Sequence, residues 1–81
     1  MEEFDDVELQ IRKIIAEELQ ADEGEIHKDS TIAELGGDSL KALMLITALE
    51  NHFNIAIADE DAMTIKSFGA AADVVRKLKR T

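Results

Sequence analysis

The first part of the chain repeats large apolar residues every three or four positions, the spacing of one face of an α-helix. The residues of this stripe are Phe4, Val7, Ile11, Ile14, Ile15 and Leu19. The spacing predicts an amphipathic helix over about 4–20 that buries one face. Residues 21–38 follow with three glycines and few large apolar side chains. This second stretch predicts a long loop.

One turn inside the loop carries its own folding signals. Thr31 is followed three residues later by Glu34, which is the pattern of a capping box. Gly36 then stands where a left-handed residue would end the turn. We therefore expect Ile32 and Leu35 to pin the loop to the core.

A second helix is predicted over 39–53, a segment without proline or glycine. At about 100° per residue, one group of apolar residues falls on a single side and should face the core. These residues are Ala42, Leu45, Ile46, Leu49 and Phe53. A neighbouring strip that starts beside Ser39 is also mostly apolar, although a helix buried on one side does not need it. The strip consists of Leu40, Leu43, Met44 and Thr47, and we expect part of it to be exposed.

Residues 54–58 alternate like a strand, but a single short run has no partner strand. We interpret the run as an extended linker that buries Ile55 and Ile57. Asp59 is then placed to cap a short helix over 60–63.

The end of the chain predicts a last helix over 68–79 with Ser67 as its cap. Its inward residues would be Phe68, Ala71, Ala72, Val75 and Leu78. The predicted fold class is therefore all-α, a small bundle of three longer helices and one short helix. We expect one domain that spans 1–81, with the long loop between the first two helices.

The charge balance argues against whole classes of function. The chain has 9 Lys and Arg against 18 Asp and Glu, a net charge of −9. Such a chain repels nucleic-acid phosphates and anionic lipid heads, so we expect neither nucleic-acid binding nor membrane insertion. The acidic segment 1–6 is the opposite of a secretory signal, and the uncharged run 42–49 is too short to span a bilayer. We therefore expect a cytoplasmic protein.

The two parts of the chain carry opposite charge. Residues 1–64 hold 17 acids and 4 bases (−13), whereas residues 65–81 hold 1 acid and 5 bases (+4). Four of these five bases cluster at 76–80, where we expect them to interact with the C-terminal end of the last helix dipole.

The residue inventory leaves little room for an enzyme or a metal centre. There is no cysteine, which removes disulfides, thiolate metal ligands and a cysteine nucleophile. His27 and His52 lack the spacing of a metal-binding pair. Ser39 is not in a nucleophile elbow, because Lys41 replaces the last glycine of that motif. We expect no catalytic residue and no metal site beyond loose divalent binding at acidic patches such as 59–61.

Ser39 stands out among the polar residues because it opens the second helix directly after Gly36, Gly37 and Asp38. One interpretation is a helix N-cap, which Ser39 or Asp38 could provide. The other is a modification site, since a phosphate ester on Ser39 would meet the free N–H groups and positive dipole of the helix. In this second interpretation Gly37 lets another protein approach the hydroxyl closely. Asp38 argues against it, because neighbouring anions repel unless a cation lies between them.

The segment 35–40, Leu-Gly-Gly-Asp-Ser-Leu, resembles the attachment motif of acyl carrier proteins. The resemblance covers almost the whole chain, including the first helix, the long loop, the second helix and the closing helix. Further similar positions are 48–50, Phe53, 55–57, 59–62 and Ile65.

This resemblance implies a carrier that performs no catalysis itself and whose Ser39 bears 4′-phosphopantetheine. A phosphopantetheinyl transferase would attach the group from coenzyme A with magnesium, and Asp38 would help to hold that metal. Gly37 and Leu40 complete the implied cofactor-binding residues. The thiol of the arm would carry acyl groups as thioesters to acyl-loading, acyl-transfer and synthase enzymes, which supplies the thiol that the chain lacks.

Three positions depart from the pattern of fatty-acid carriers, one of them Ala58, which replaces a usual proline. The other two are in the second helix, where these carriers usually place acids just after the attachment serine and again three residues on. Lys41 and Met44 occupy those positions here and make the helix face less acidic and more apolar. We therefore expect a free-standing, monomeric carrier of a specialised fatty-acid, polyketide or lipid pathway. Its partner-docking residues would be Leu40, Lys41, Leu43, Met44 and Thr47.

Three alternatives remain open from the sequence. The Gly-Gly-Asp-Ser string is also compatible with an aminoacyl or peptidyl carrier of a nonribosomal assembly line. An unmodified acidic helical module that binds a basic partner predicts that Ser39→Ala is silent. A small hydrolase predicts turnover of an activated ester that Ser39→Ala abolishes.

Overall fold

The computed structural model describes residues 3–79, so Met1, Glu2, Arg80 and Thr81 lie outside the described part of the chain. The described residues form an all-α bundle, which confirms the predicted fold class. Its helices are α1 (Asp6–Leu19), α2 (Ser39–Phe53), the short α3 (Asp59–Ala62) and α4 (Phe68–Lys79). A 3₁₀ turn, Glu23–Glu25, which the sequence did not predict, lies in the loop between α1 and α2.

Helix α1 begins two residues later than the apolar pattern predicts because Asp5 caps it. The Asp5 carboxylate accepts the Glu8 N–H at 2.8 Å, and the Glu8 carboxylate accepts the Asp5 N–H at 2.9 Å. This reciprocal capping box leaves Phe4 before the helix. The Phe4 ring still packs inward, edge-on to Phe68 of α4 with a centroid distance of 5.5 Å.

The core lies between α1, α2 and α4. Its largest fully buried side chains are Ile11, Ile15, Ile26, Leu45, Leu49, Phe68 and Val75. Helix α2 contributes less than predicted, because Leu45 and Leu49 are fully buried while Ala42, Ile46 and Phe53 are half-buried. One side of α2 is therefore left open to solvent.

The turn at 31–36 folds as predicted. Thr31 Oγ1 accepts the Glu34 N–H at 3.0 Å, and the Glu34 carboxylate accepts the Thr31 N–H at 3.3 Å. Gly36 has φ of +87°, the left-handed conformation that ends the turn. Ile32 is buried and Leu35 is half-buried against the core, so the turn is anchored on its inner side.

Residues 55–58 form a linker and not a strand, with Ile55 and Ile57 half-buried. Asn54, predicted as the first residue of this linker, is instead the left-handed C-cap of α2 with φ of +55°. The Glu50 carboxylate of α2 holds the linker by accepting the Ile57 N–H at 2.8 Å. The prediction that Asp59 caps α3 is wrong. Ala58 is the N-cap, without a side-chain hydrogen bond, and its carbonyl accepts the Ala62 N–H at 2.9 Å. The helix therefore starts one residue earlier than predicted and includes Asp59.

The cap of α4 is confirmed, since Ser67 Oγ accepts the Ala70 N–H at 3.1 Å. The predicted inward residues are buried apart from Leu78, which is half-buried, and Val74 is buried as well. Among residues 3–79, no helix combines the length and apolar content needed to cross a bilayer.

The basic end of α4 makes specific contacts that the dipole argument did not predict. Arg76 Nη2 lies 2.5 Å from Asp5 Oδ2 and 3.4 Å from Glu8 Oε2, and we call these two ion pairs the Arg76 clamp. Lys77 Nζ pairs with Asp61 of α3 at 2.9 Å. Lys79 Nζ lies 5.4 Å from the centre of the Phe53 ring. The bases at 76–79 thus tie α4 to its neighbours, and Arg80 lies outside the described residues.

Candidate functional site

Asp38, and not Ser39, is the N-cap of α2. Its Oδ1 accepts the Lys41 N–H at 2.9 Å, and its backbone is extended as an N-cap requires. Ser39 is the first residue of the helix and is exposed. Its hydroxyl makes no hydrogen bond to any residue in the described range. A serine whose hydroxyl is not used for capping is therefore available at the positive end of the α2 dipole.

Gly37 positions this end of α2 because its lack of a side chain lets the backbone lie close to Ile32 and Leu19. A Cβ on Gly37 would lie 2.4 Å from Ile32 Cγ2, 3.0 Å from the Ile32 carbonyl oxygen and 3.2 Å from Leu19 Cδ2. The Gly37 N–H also donates to the Ile32 carbonyl at 2.9 Å. The space that this glycine leaves is thus filled by Ile32 and Leu19 of the same chain.

The connection between α3 and α4 runs beside the loop and forms a second wall next to Ser39. The Ile32 N–H donates to the Lys66 carbonyl at 2.9 Å, and the Phe68 N–H donates to the Ser30 carbonyl at 2.9 Å. Thr31 and Ser67 form an isolated antiparallel bridge between the two segments. These bonds fix the backbone that carries Lys66 relative to the loop that leads into Ser39.

Ser39 lines an open groove of about 440 Å³ between these two walls, which we call the Ser39 groove. Its lining residues are Ile32, Ala33, Gly37, Asp38, Ser39, Ala42, Ile65 and Lys66. The structure therefore brings together three of the four predicted cofactor-binding residues, while Leu40 faces elsewhere. The sequence did not identify Ile65 and Lys66 as neighbours of Ser39, because a backbone pairing between distant segments brings them there.

The outer face of α2 presents the strip of Leu40, Leu43, Met44 and Thr47, which we call the outer strip. Leu40 is 68% exposed, Leu43 64% and Met44 48%. With Glu18, Ala48 and Asn51, the strip lines a second open groove of about 420 Å³. Ala48 and Asn51 continue the helical spacing of the strip and could have been found from it. Glu18 could not, because it comes from α1.

Lys41 stands apart from the other predicted docking residues. It is half-buried and is not among the residues that line the groove along the outer strip. Its side chain forms no ion pair within residues 3–79. The structure thus brings together four of the five predicted docking residues.

The surroundings of Ser39 do not resemble a hydrolase or a metal centre. His52 is thirteen residues along α2, roughly 20 Å from Ser39 at the rise of an α-helix, and pairs with Gln10 at 2.7 Å. His27 is not among the lining residues of the Ser39 groove. Within residues 3–79, no group of three or more His, Cys, Asp or Glu side chains could hold a metal ion. Ser39 therefore has no histidine base beside it among the groove residues.

Comparison with known proteins identifies the family of this chain. A family model described as "Phosphopantetheine attachment site" matches residues 9–75. A solved structure described as "Mupirocin didomain ACP" is similar to this chain with a TM-score of 0.75 and 26% sequence identity. The match covers 95% of this chain and 42% of that one, so this chain spans less than half the length of its relative. Proteins of this kind carry phosphopantetheine and are not themselves catalytic. The chain belongs to the phosphopantetheine-attachment family of acyl carrier proteins.

Proposed function

We propose that Ser39 bears the 4′-phosphopantetheine and that the thiol of this arm carries acyl groups as thioesters between partner enzymes. The observation that carries the proposal is the exposed Ser39 hydroxyl, which accepts and donates no hydrogen bond among the described residues. Asp38 performs the capping that the hydroxyl would otherwise perform. The first turn of α2 thus stays folded whether or not Ser39 is esterified.

The attachment step replaces one phosphorus–oxygen bond with another. The Ser39 oxygen attacks the coenzyme A phosphorus that bears pantetheine, the anhydride bond breaks, and adenosine 3′,5′-bisphosphate leaves. The hydroxyl proton passes to a base of the transferase. The free N–H groups at the start of α2 favour the added negative charge.

Asp38 has an oxygen available for the magnesium of this step. Its Oδ1 is engaged with the Lys41 N–H, whereas Oδ2 accepts no hydrogen bond from a described residue. A cation held there would also reduce the repulsion between Asp38 and the incoming phosphate.

The outer strip is the docking surface in this proposal. Leu40, Leu43 and Met44 are large apolar side chains that are about half to two-thirds exposed, and burying the exposed part of one of them against a partner contributes about 1–2 kcal/mol. Glu18 lies at the edge of the same groove. A partner that offers an apolar patch with a Lys or Arg at its rim therefore fits this surface.

The chain acts, in this proposal, as a monomeric carrier domain in the cytoplasm. The apolar character of the outer strip distinguishes it from the acidic docking face of fatty-acid carriers and supports a specialised fatty-acid, polyketide or lipid pathway.

Intact-mass measurement tests the proposal. The folded protein is incubated with coenzyme A, magnesium and a promiscuous phosphopantetheinyl transferase, beside Ser39→Ala and Thr64→Ala. Thr64 is the matched control because it is an exposed hydroxyl that lines neither the Ser39 groove nor the groove along the outer strip. We expect the native protein and Thr64→Ala to gain one phosphopantetheine and Ser39→Ala to gain none. A gain in Ser39→Ala, or no gain in the folded native protein, would contradict the proposal.

A further inference from the structure

The Ser39 groove has a chemical character of its own beyond the attachment serine. Its floor and walls are mostly small or aliphatic, with Ile32, Ala33 and Ile65 among them. Its volume of about 440 Å³ falls within the roughly 300–1,000 Å³ of small-molecule sites. Two charged residues line it, Asp38 and Lys66. One cation therefore faces the groove in which the esterified Ser39 oxygen would lie.

Lys66 is held in place at its backbone while its side chain is uncommitted. Its carbonyl accepts the Ile32 N–H at 2.9 Å, and its N–H donates to the Thr64 carbonyl at 2.9 Å. The side chain is exposed and forms no ion pair or hydrogen bond within residues 3–79. Arg76 and Lys77 of the following helix are engaged with carboxylates instead. Lys66 can thus meet an added anion without breaking a native contact.

A phosphodiester on Ser39 would need such a cation. It carries one negative charge at neutral pH and would stand directly beside the Asp38 carboxylate. Lys41 is poorly placed to compensate, because residues two apart on a helix do not face each other. Lys66 approaches from the other wall of the groove and is not subject to this restriction.

We propose that Lys66 forms an ion pair with the phosphodiester attached to Ser39 and thereby positions the first part of the arm in the Ser39 groove. The apolar groove residues Ile32 and Ile65 then contact the two methyl groups of the pantetheine arm, which lie close to its phosphate. Lys66 is a positioning residue in this inference, which rests on the proposed function of Ser39. An arm held at its base sweeps a smaller volume than one that pivots freely at the ester.

The test compares the unmodified and phosphopantetheinylated forms of four proteins at low ionic strength. They are the native chain, Lys66→Gln, Lys66→Arg and the control Lys13→Gln. Lys13 is exposed on α1 and does not line the Ser39 groove. Intact mass first establishes that each chain carries the arm. Two readouts follow, the change in Tm on modification and the ³¹P chemical shift of the phosphodiester.

We expect the change in Tm on modification to be about 2–4 °C more favourable in the native chain than in Lys66→Gln, as for a partly exposed ion pair. Lys66→Arg and Lys13→Gln should behave like the native chain, and the ³¹P signal should shift in Lys66→Gln only. Salt at about 1 M should remove the difference.

Equal changes in Tm and coincident ³¹P signals in fully modified native and Lys66→Gln proteins would overturn the role of Lys66 and leave the carrier function intact. A native chain that takes up no phosphopantetheine would overturn the proposed function, and this inference with it. Because mass is measured before either readout, the two failures are distinguishable.

Discussion

The Arg76 clamp and the Ser39 groove, two regions of one small bundle, use their charged residues in opposite ways. At the clamp, Asp5 and Glu8 of the α1 capping box also pair with Arg76 of α4. At the groove, the side chain of Lys66 has no partner within residues 3–79. In the clamp, the charged side chains join α1 to α4. In the groove region, backbone hydrogen bonds and the close packing at Gly37 hold the segments together. An unpaired cation thus lies where a ligand or an enzyme would meet the molecule.

The largest expected effect comes from the glycine that holds the groove region. Gly37→Ala places a methyl group against Ile32 and Leu19, so we expect a loss of about 1–3 kcal/mol, or a fall in Tm of about 5–15 °C. Gly24→Ala is the control, because a Cβ there meets only Asp22 Oδ1 at 3.7 Å. Its Tm should stay constant or rise slightly. Thermal melts followed by circular dichroism measure both, and equal melting points for the two variants would contradict this account of the groove.

A smaller effect, on binding and not on stability, is expected at the outer strip. Met44→Glu puts a charge on the apolar docking surface, so we expect kcat/KM of the phosphopantetheinyl transferase to fall about 5–30-fold, with Tm little changed. Leu9→Glu is a close match, because Leu9 is 47% exposed and Met44 48%, and Leu9 does not line the groove along the strip. An unchanged kcat/KM for Met44→Glu, or an equal loss in Leu9→Glu, would rule out docking at this strip.

The smallest effect is expected at the Arg76 clamp, because its Arg76 and Asp5 side chains are 39% and 54% exposed. We expect Arg76→Gln to lower Tm at neutral pH by about 2–4 °C. Lys66→Gln, which removes an unpaired cation of the groove region, should leave the Tm of the unmodified protein unchanged. A larger loss in Lys66→Gln than in Arg76→Gln would break the comparison between the two regions.

The clamp also predicts a direction of pH dependence. The hydrogen bond from the Glu8 N–H, assisted by Arg76, holds the pKa of Asp5 below its ordinary value of about 3.9. A lowered folded-state pKa contributes stability above the unfolded-state value, and the contribution is lost as the pH falls through the folded-state value. The difference in Tm between the native chain and Arg76→Gln should therefore be constant near neutrality and narrow below about pH 4. A difference that widens on acidification would contradict this assignment.

The features that the sequence predicted well depend on residues three or four apart. The Thr31–Glu34 capping box and the Ser67 cap form as predicted because both partners lie within one turn of chain. Gly36 ends its turn as predicted because the left-handed conformation depends only on the φ angle of the glycine itself. Local signals therefore gave the order of the helices, and the family motif gave Ser39 as the candidate site.

The features that could not be predicted from the sequence depend on contacts between distant residues, or on which of two adjacent residues caps a helix. The Arg76 clamp joins residues 71 positions apart. The start of α3 was misplaced because Asp59 matches a cap by residue type, although the backbone at Ala58 occupies that position. Lys66 and Glu18 line their grooves because of tertiary packing, which a local sequence pattern does not predict.

The bridge between Thr31 and Ser67 has a consequence for the conformational entropy of the long loop. Residues 21–38 would be an unusually long irregular connection for a domain of this size. Because the loop is tied near its middle to the segment before α4, it behaves as two short spans, each with less freedom than the whole. The span that ends at Ser39 is the shorter of the two. The end of the loop that presents the serine therefore fluctuates less than its length in the sequence suggests.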